Sequence, residues 1–280
     1  DFVKDAVSTY SDFNQAMANT SAIAGANEEQ MKKLENAALE MGKKTTKTAT
    51  EASEALGYMA LAGWDVDTSI ASLEPVLRLS EATQMDLATC SDLVTDSMSA
   101  LGLTADQLTD YLNVTCQANN KSNTTAQALM EAMIGCGGAA KSAGMDYKQT
   151  AAALGILANN GVKGAEAGTA LNSMLVRMTT KDVAQKAFKE LGVSIYDSSG
   201  QMRNMQDILV ELNGAMSGLT QEQKNNYMSA IAGTNYYTQF GYLLEGVKEG
   251  ADGAASTWTS LTEAFDNSDG ALMNMANQMN

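Results

Sequence analysis

The sequence predicts an all-α fold: antiparallel helical hairpins or a bundle joined by short loops, with one small β-hairpin near 193–203. Three observations carry this. Aromatics make up 6% of the 280 residues, against 18 methionines and a single proline, Pro75. A core of alanine, leucine and methionine suits helices better than a β-sandwich. A glycine followed by an apolar residue recurs at Ala62-Gly63-Trp64, Leu101-Gly102-Leu103, Ala143-Gly144-Met145, Asn160-Gly161-Val162 and Leu191-Gly192-Val193. At each, glycine takes the left-handed conformation that ends a helix, and the apolar residue folds back on the last turn. Capping boxes open helices at Thr48–Glu51, Thr104–Gln107 and Thr220–Gln223.

Taken in order, Phe2, Ala6, Phe13 and Met17 mark the apolar stripe of a first helix that ends near Gly25. Asn27 caps a second, with Glu28 and Glu29 in its first turn and Met31, Leu34, Ala38 and Met41 as its stripe, to Gly42. A third runs from Thr48 to Gly63. A fourth spans 67–80, with Pro75 expected to kink it. Helices follow over 85–101, 105–119, 123–143, 146–160, 165–179 and 181–191.

Between Tyr147 and Met178 two of these meet at Gly161. The second carries Ala167, Ala170, Leu171, Met174, Leu175 and Met178 on one face. The join from Gly161 to Gly164 is short enough to predict an antiparallel pair. Gly164 and Gly168, four apart, let that helix bring its backbone close to its neighbour, with Gly168 at the closest approach. Val193–Arg203 alternates and turns at Asp197–Gly200, which reads as the small hairpin. Helices resume over 205–216, 220–233, 235–249 and from 252. The expected divisions are N-terminal helices at 1–42, a helical core at 43–191, and the hairpin with C-terminal helices at 192–280. The chain starts at Asp1 in mid-helix pattern and is read as a fragment of a longer polypeptide.

Several functions are disfavoured. The formal net charge of −15 argues against nucleic-acid binding and against docking on anionic lipid. Histidine is absent, which removes Ser–His and Cys–His pairs and histidine metal sites. Cys90, Cys116 and Cys136 are odd in number and widely spaced, so they read as small buried hydrophobes. Gly135–Ser142 approaches a phosphate loop but places Ala140 where the second glycine belongs. Asp266–Gly270 is too short for a calcium loop. No catalytic, cofactor or metal residue is assigned, and no enzymatic activity is expected. Trp258, Tyr236, Tyr237 and Phe240 are candidate partner contacts, but the plainer expectation is core burial for Trp258 and, for the aromatic cluster of the other three, holding the last helices on the body.

The segment Asn159-Asn-Gly-Val-Lys-Gly-Ala-Glu-Ala-Gly-Thr-Ala-Leu171 resembles the most recognisable stretch of the tail tape measure proteins of long-tailed bacteriophages. The resemblance extends in order through Ala26–Met31, Ala38–Thr45, Glu51–Leu56, Leu61–Gly63, Leu191–Gly200 and Asp207–Leu209, and covers most of 20–245. Ala232 departs from it, because family members often carry an aromatic before that glycine. The resemblance implies a structural protein that sets tail length during assembly and is ejected to assist DNA delivery. It implies a place in the tail-tube lumen of the virion after assembly in the host cytoplasm. The implied partners are the tail tube protein, tail assembly chaperones, tail tip or baseplate proteins and other copies of itself, with the host envelope met at ejection through other parts of the protein. No cofactor and no direct contact with nucleic acid are implied. Two readings stay open beside it: a helical delivery domain of a bacterial secreted protein or toxin, and a helical cell-wall-degrading enzyme.

Overall fold

The computed structural model describes residues 2–279, with side-chain environments from residue 7, so Phe2 and Ala6 of the first expected stripe lie outside the described side chains. Among the described residues the chain forms fifteen α-helices and no strand. In order they are α1 (Phe2–Ala24), α2 (Glu28–Lys44), α3 (Ala49–Leu61), α4 (Val66–Thr83) and α5 (Leu87–Leu101). Next come α6 (Leu108–Lys121), α7 (Ala126–Ser142), α8 (Tyr147–Asn159), α9 (Gly164–Thr180) and α10 (Asp182–Glu190). The last are α11 (Met205–Met216), α12 (Gln221–Ala232), α13 (Tyr237–Gly246), α14 (Thr257–Asp266) and α15 (Ala271–Met279).

The ends of these helices are written locally. Asn27, Thr48 and Thr220 each accept from the backbone N–H three residues on, and Gln30, Glu51 and Gln223 reach back to the cap N–H. α4 continues through Pro75. The helix expected from 252 is instead a short 3₁₀ turn followed by α14 and α15, with Gly270 at φ +76° between the last two.

The hairpin expected near 193–203 does not form. Tyr196 and Met202 make one isolated antiparallel bridge, flanked by Asp197 N–H donating to Gln201 O at 2.8 Å and Arg203 N–H donating to Ile195 O at 2.9 Å. The reason is local competition. Asp197 Oδ1 accepts from the N–H groups of Ser199 and Gln201 and from the Ser199 hydroxyl, and the Ser194 hydroxyl donates to Tyr196 O. Asn204 already caps α11, so no residue is left to extend a ladder that would be marginal alone.

The chain forms two compact units. Unit 1 comprises the chain up to Met98, Leu103–Leu112 and the chain from Gly270; unit 2 comprises Ser99–Gly102 and Asn113–Asp269.

In unit 1, α3 packs on α1, α2 and α4, and α15 lies along α4. Leu34, Ala38, Leu56, Met59, Leu73, Leu77 and Ala276 are buried there. In unit 2, α9 packs chiefly on α7, and only secondarily on α8, the neighbour its short loop predicts. α8 has Thr150 through Ala158 buried without interruption and is shared among α7, α9, α13 and α14. A helix apolar on every side belongs inside, where several elements divide its surface.

Candidate packing and docking sites

The tightest place in unit 2 is where α7 meets α9. A Cβ on Gly168 would collide with the carbonyl oxygen of Ala132 and stand 3.0 Å from that residue's Cα and carbonyl carbon. A Cβ on Gly135 would lie 3.4 Å from Gly168 Cα. Ala132, Met133 and Cys136 on one helix and Ala167, Ala170 and Leu171 on the other are buried around this point. Small residues permit the approach, and the obstacle to any larger one is backbone, which cannot rotate away. The neighbour Gly168 meets is thus α7 and not α8, as a reading of sequence order expects.

The glycines of the helix stops behave differently. Gly63, Gly102, Gly144, Gly161 and Gly192 all have φ between +69° and +87°. Trp64, Leu103, Met145, Val162 and Val193 each send a backbone N–H five residues back, to Met59, Met98, Ala140, Leu157 and Phe188, at 2.9–3.1 Å. These bonds satisfy carbonyls that a helix end otherwise leaves orphaned. At Gly161 nothing lies within 4 Å of an added Cβ, so its constraint is conformational alone. Gly164, the first residue of α9, has φ +57° and sits near the Glu131 carboxylate.

Unit 1 holds a polar counterpart. The Glu81 side chain, on α4, is 1% exposed. It accepts from Thr46 N–H at 2.5 Å, from the Thr46 hydroxyl at 2.9 Å and from Arg78 Nη1 at 2.8 Å. Arg78 Nη2 donates in turn to Lys44 O at 3.0 Å, so the pair ties the end of α2 to α4. Burial pushes the Glu81 carboxyl up, but donation from the Thr46 backbone, Arg78 and the Thr46 hydroxyl outweighs it, and the net direction is down.

The candidate partner contacts divide. Trp258 and Phe240 are each 1% exposed, so these two rings belong to the core of unit 2 and not to a docking surface. Sequence clustering of aromatics does not distinguish an inward ring from an outward one. Tyr236 and Tyr237 are half-buried and line two different clefts. The first cleft, of about 590 Å³, lies among α11, α12 and α13 and is walled by Met216, Met228, Tyr237 and Tyr242, with Lys224 and Lys248. The second, of about 400 Å³, lies where α9 faces the α12–α13 turn and holds Arg177, Lys181 and Tyr236. Arg177 carries no sequence signal of its own: its partner, the carbonyl of Ala230, is 53 residues away.

Cys116 and Cys136 are buried, and burial pushes each thiol up to about 12, so neither is a nucleophile at neutral pH. Among the described residues no three acidic or cysteine side chains gather as metal ligands, and no helix is long and apolar enough to cross a membrane.

Residues 35–233 match the family model of phage-related minor tail proteins. Two curated proteins are similar along almost the whole chain. The tape measure protein of Pneumococcus phage Dp-1 is 33% identical over 279 residues, covering 99% of this chain and 24% of that protein. The probable tape measure protein of Escherichia phage P2 is 29% identical over 275 residues, covering 96% of this chain and 33% of that protein. The chain therefore spans about a quarter to a third of the length of these relatives. No solved structure matches.

Proposed function

Because this chain belongs to the phage-related minor tail protein family, we propose that it is a structural segment of a phage tail tape measure protein. The observation that carries this is the similarity to a tape measure protein over 99% of the chain. The reading is of a scaffold without enzymatic activity, in a protein that sets tail length during assembly and leaves the tube to assist DNA delivery. Its place is the tail-tube lumen of the virion, reached by assembly in the host cytoplasm. Its partners are the tube protein, the assembly chaperones, tip or baseplate proteins and other copies of itself; it makes no direct contact with nucleic acid. The net charge of −15 supports the last point, since like charge repels a phosphate backbone.

Within that protein this segment acts as a folded body and not as a bare ruler. Helix stops and buried faces support this, because an element that only measures length has no use for them. Its function then depends on packing residues such as Gly161 and Gly168, ahead of any charged one. Deletion of 150–190 in the full protein tests the reading. About 40 residues of extended helix correspond to about 60 Å of length. Loss of α8 and α9 is expected to impair assembly or DNA delivery beyond such a shortening, as seen by electron microscopy and infectivity. Infectious particles whose tails are shorter only in proportion overturn the folded-body reading. Normal tails of unchanged length overturn the tape measure reading itself.

A further inference from the structure

We infer that the cleft between the end of α9 and the α12–α13 turn is a carboxylate-binding site, and that its natural ligand is an acidic side chain on a protein. The chain has three arginines. Arg78 is engaged by Glu81 and Glu74, and Arg203 by Glu211. Arg177 is the exception: among the described residues no carboxylate pairs with it and none lines its cleft.

Arg177 is nevertheless held in place. Its Nε donates to the carbonyl oxygen of Ala230 at 3.0 Å, in the last turn of α12. Its Cδ lies against Gly233, where an added Cβ would stand 3.4 Å away. Gly233 has φ +91°, a conformation that glycine adopts without penalty, and this turn lays the backbone alongside the arginine stem. Pinning Nε leaves the two terminal nitrogens of the fork, the pair that meets a carboxylate edge-on. Arg177 itself is half-buried, while Lys181, Thr234 and Asn235 are exposed at the rim.

The surroundings complete the donor set. Lys181 is four residues on, at the same end of α9, and adds a second positive charge. Asn172, Ser173 and Asn235 bring amide and hydroxyl donors to the wall. Val176 and Ala232 offer apolar surface for the methylenes of an aspartate or glutamate. One fork and one lysine match a single carboxylate. A polyanion such as nucleic acid would meet the repulsion of a chain with net charge −15. The carboxylate is supplied by another protein, since a second copy of this chain would bring a further net charge of −15 against the first. The inference does not depend on the tape measure reading.

The test is side-chain NMR of the arginine Nε–H groups in the isotope-labelled 280-residue chain, the Arg177 signal being identified by its loss in Arg177→Lys. Glutamate blocked at both backbone ends is titrated in, with blocked glutamine and inorganic phosphate as comparisons. The expected result is a saturable shift of the Arg177 signal by blocked glutamate, with those of Arg78 and Arg203 unmoved. Lys181→Gln, which leaves the fork in place, is expected to weaken that saturation. The Arg177 signal is expected to be independent of protein concentration; a shift on concentrating the protein alone overturns the assignment to another protein in favour of a second copy. An equal response to blocked glutamine, movement of all three arginines together, or no movement at all overturns the site. Tighter binding of phosphate than of glutamate overturns the carboxylate assignment.

Discussion

In unit 2, α7 and α9 are held together by the absence of side chains at Gly135 and Gly168; in unit 1, the end of α2 is held to α4 by a buried carboxylate. The first contact has nothing to titrate and no room for a methyl group, because what Gly168 would strike is the backbone of Ala132. The second depends on charge: Glu81 collects three donors, and protonation removes the charge they face and puts a hydrogen on one of the oxygens that accepts them. The difference teaches that these two contacts fail in different ways. One is sensitive to volume and indifferent to pH; the other is sensitive to pH and to the removal of one charge.

The largest expected effect is that of Gly168→Leu. Overfilling a contact bounded by backbone lies at the upper end of overpacking effects, about 3 kcal/mol. Thermal unfolding reads it as a lowered Tm, and thiol labelling localises it. Labelling of Cys136, on α7 in unit 2, is expected to accelerate while that of Cys90, in unit 1, does not. Equal acceleration at both cysteines would erase the distinction between the units.

Glu81→Gln comes next. It keeps the shape, removes the charge and weakens bonds from Arg78 and Thr46, for about 2 kcal/mol. Here Cys90 is the thiol expected to become more reactive. The pH dependence sharpens the comparison. The Glu81 carboxyl is lowered below its ordinary value of 4.5 in the folded chain. Its contribution is therefore fully present above pH 4.5, and is lost as pH falls through the lower, folded value. The stability gap between the wild-type chain and Glu81→Gln is expected to close on acidification, while the gap for Gly168→Leu stays constant. A Glu81→Gln gap that does not change with pH breaks the account of unit 1.

Gly161→Val is the smallest of the three. With open space around the site, only the positive φ is penalised, at about 1 kcal/mol. Gly161→Asn, which tolerates the left-handed region, is expected to restore most of the loss. If valine and asparagine were equivalent in a melting experiment, conformation would not be what glycine supplies there.

Helical class was legible in the sequence because its signals are short-ranged. Thr48 and Glu51 close a cap within three residues, and Val162 reaches Leu157 across five. What sequence hid was the choice of neighbour. A short loop made α8 the expected partner of α9, but α8 is apolar on every face and is shared among four helices, which left the Gly168 contact to α7. Periodicity shows that a face is buried, not against what. The alternation in 193–203 misled for a related reason: Asp197 and Ser194 satisfy the backbone with their own side chains, so the ladder stops at one bridge. Phe240, in the aromatic cluster, and Trp258, apart from it, read either as packing or as partner contacts, and the fold turns both inward. Arg177 went unread because its position is made by Gly233 and Ala230, far along the chain.

The central claim is that this segment serves the tail as a folded body. Gly168→Leu, introduced into the full protein in a phage, tests it most directly, since it alters packing and leaves the number of residues untouched. The account predicts that any tails formed keep their normal length in electron micrographs, while the yield of infectious particles falls in step with the lowered Tm of the purified chain. A phage with a normal yield of infectious particles, carrying a variant whose purified chain is destabilised by the expected amount, would contradict it.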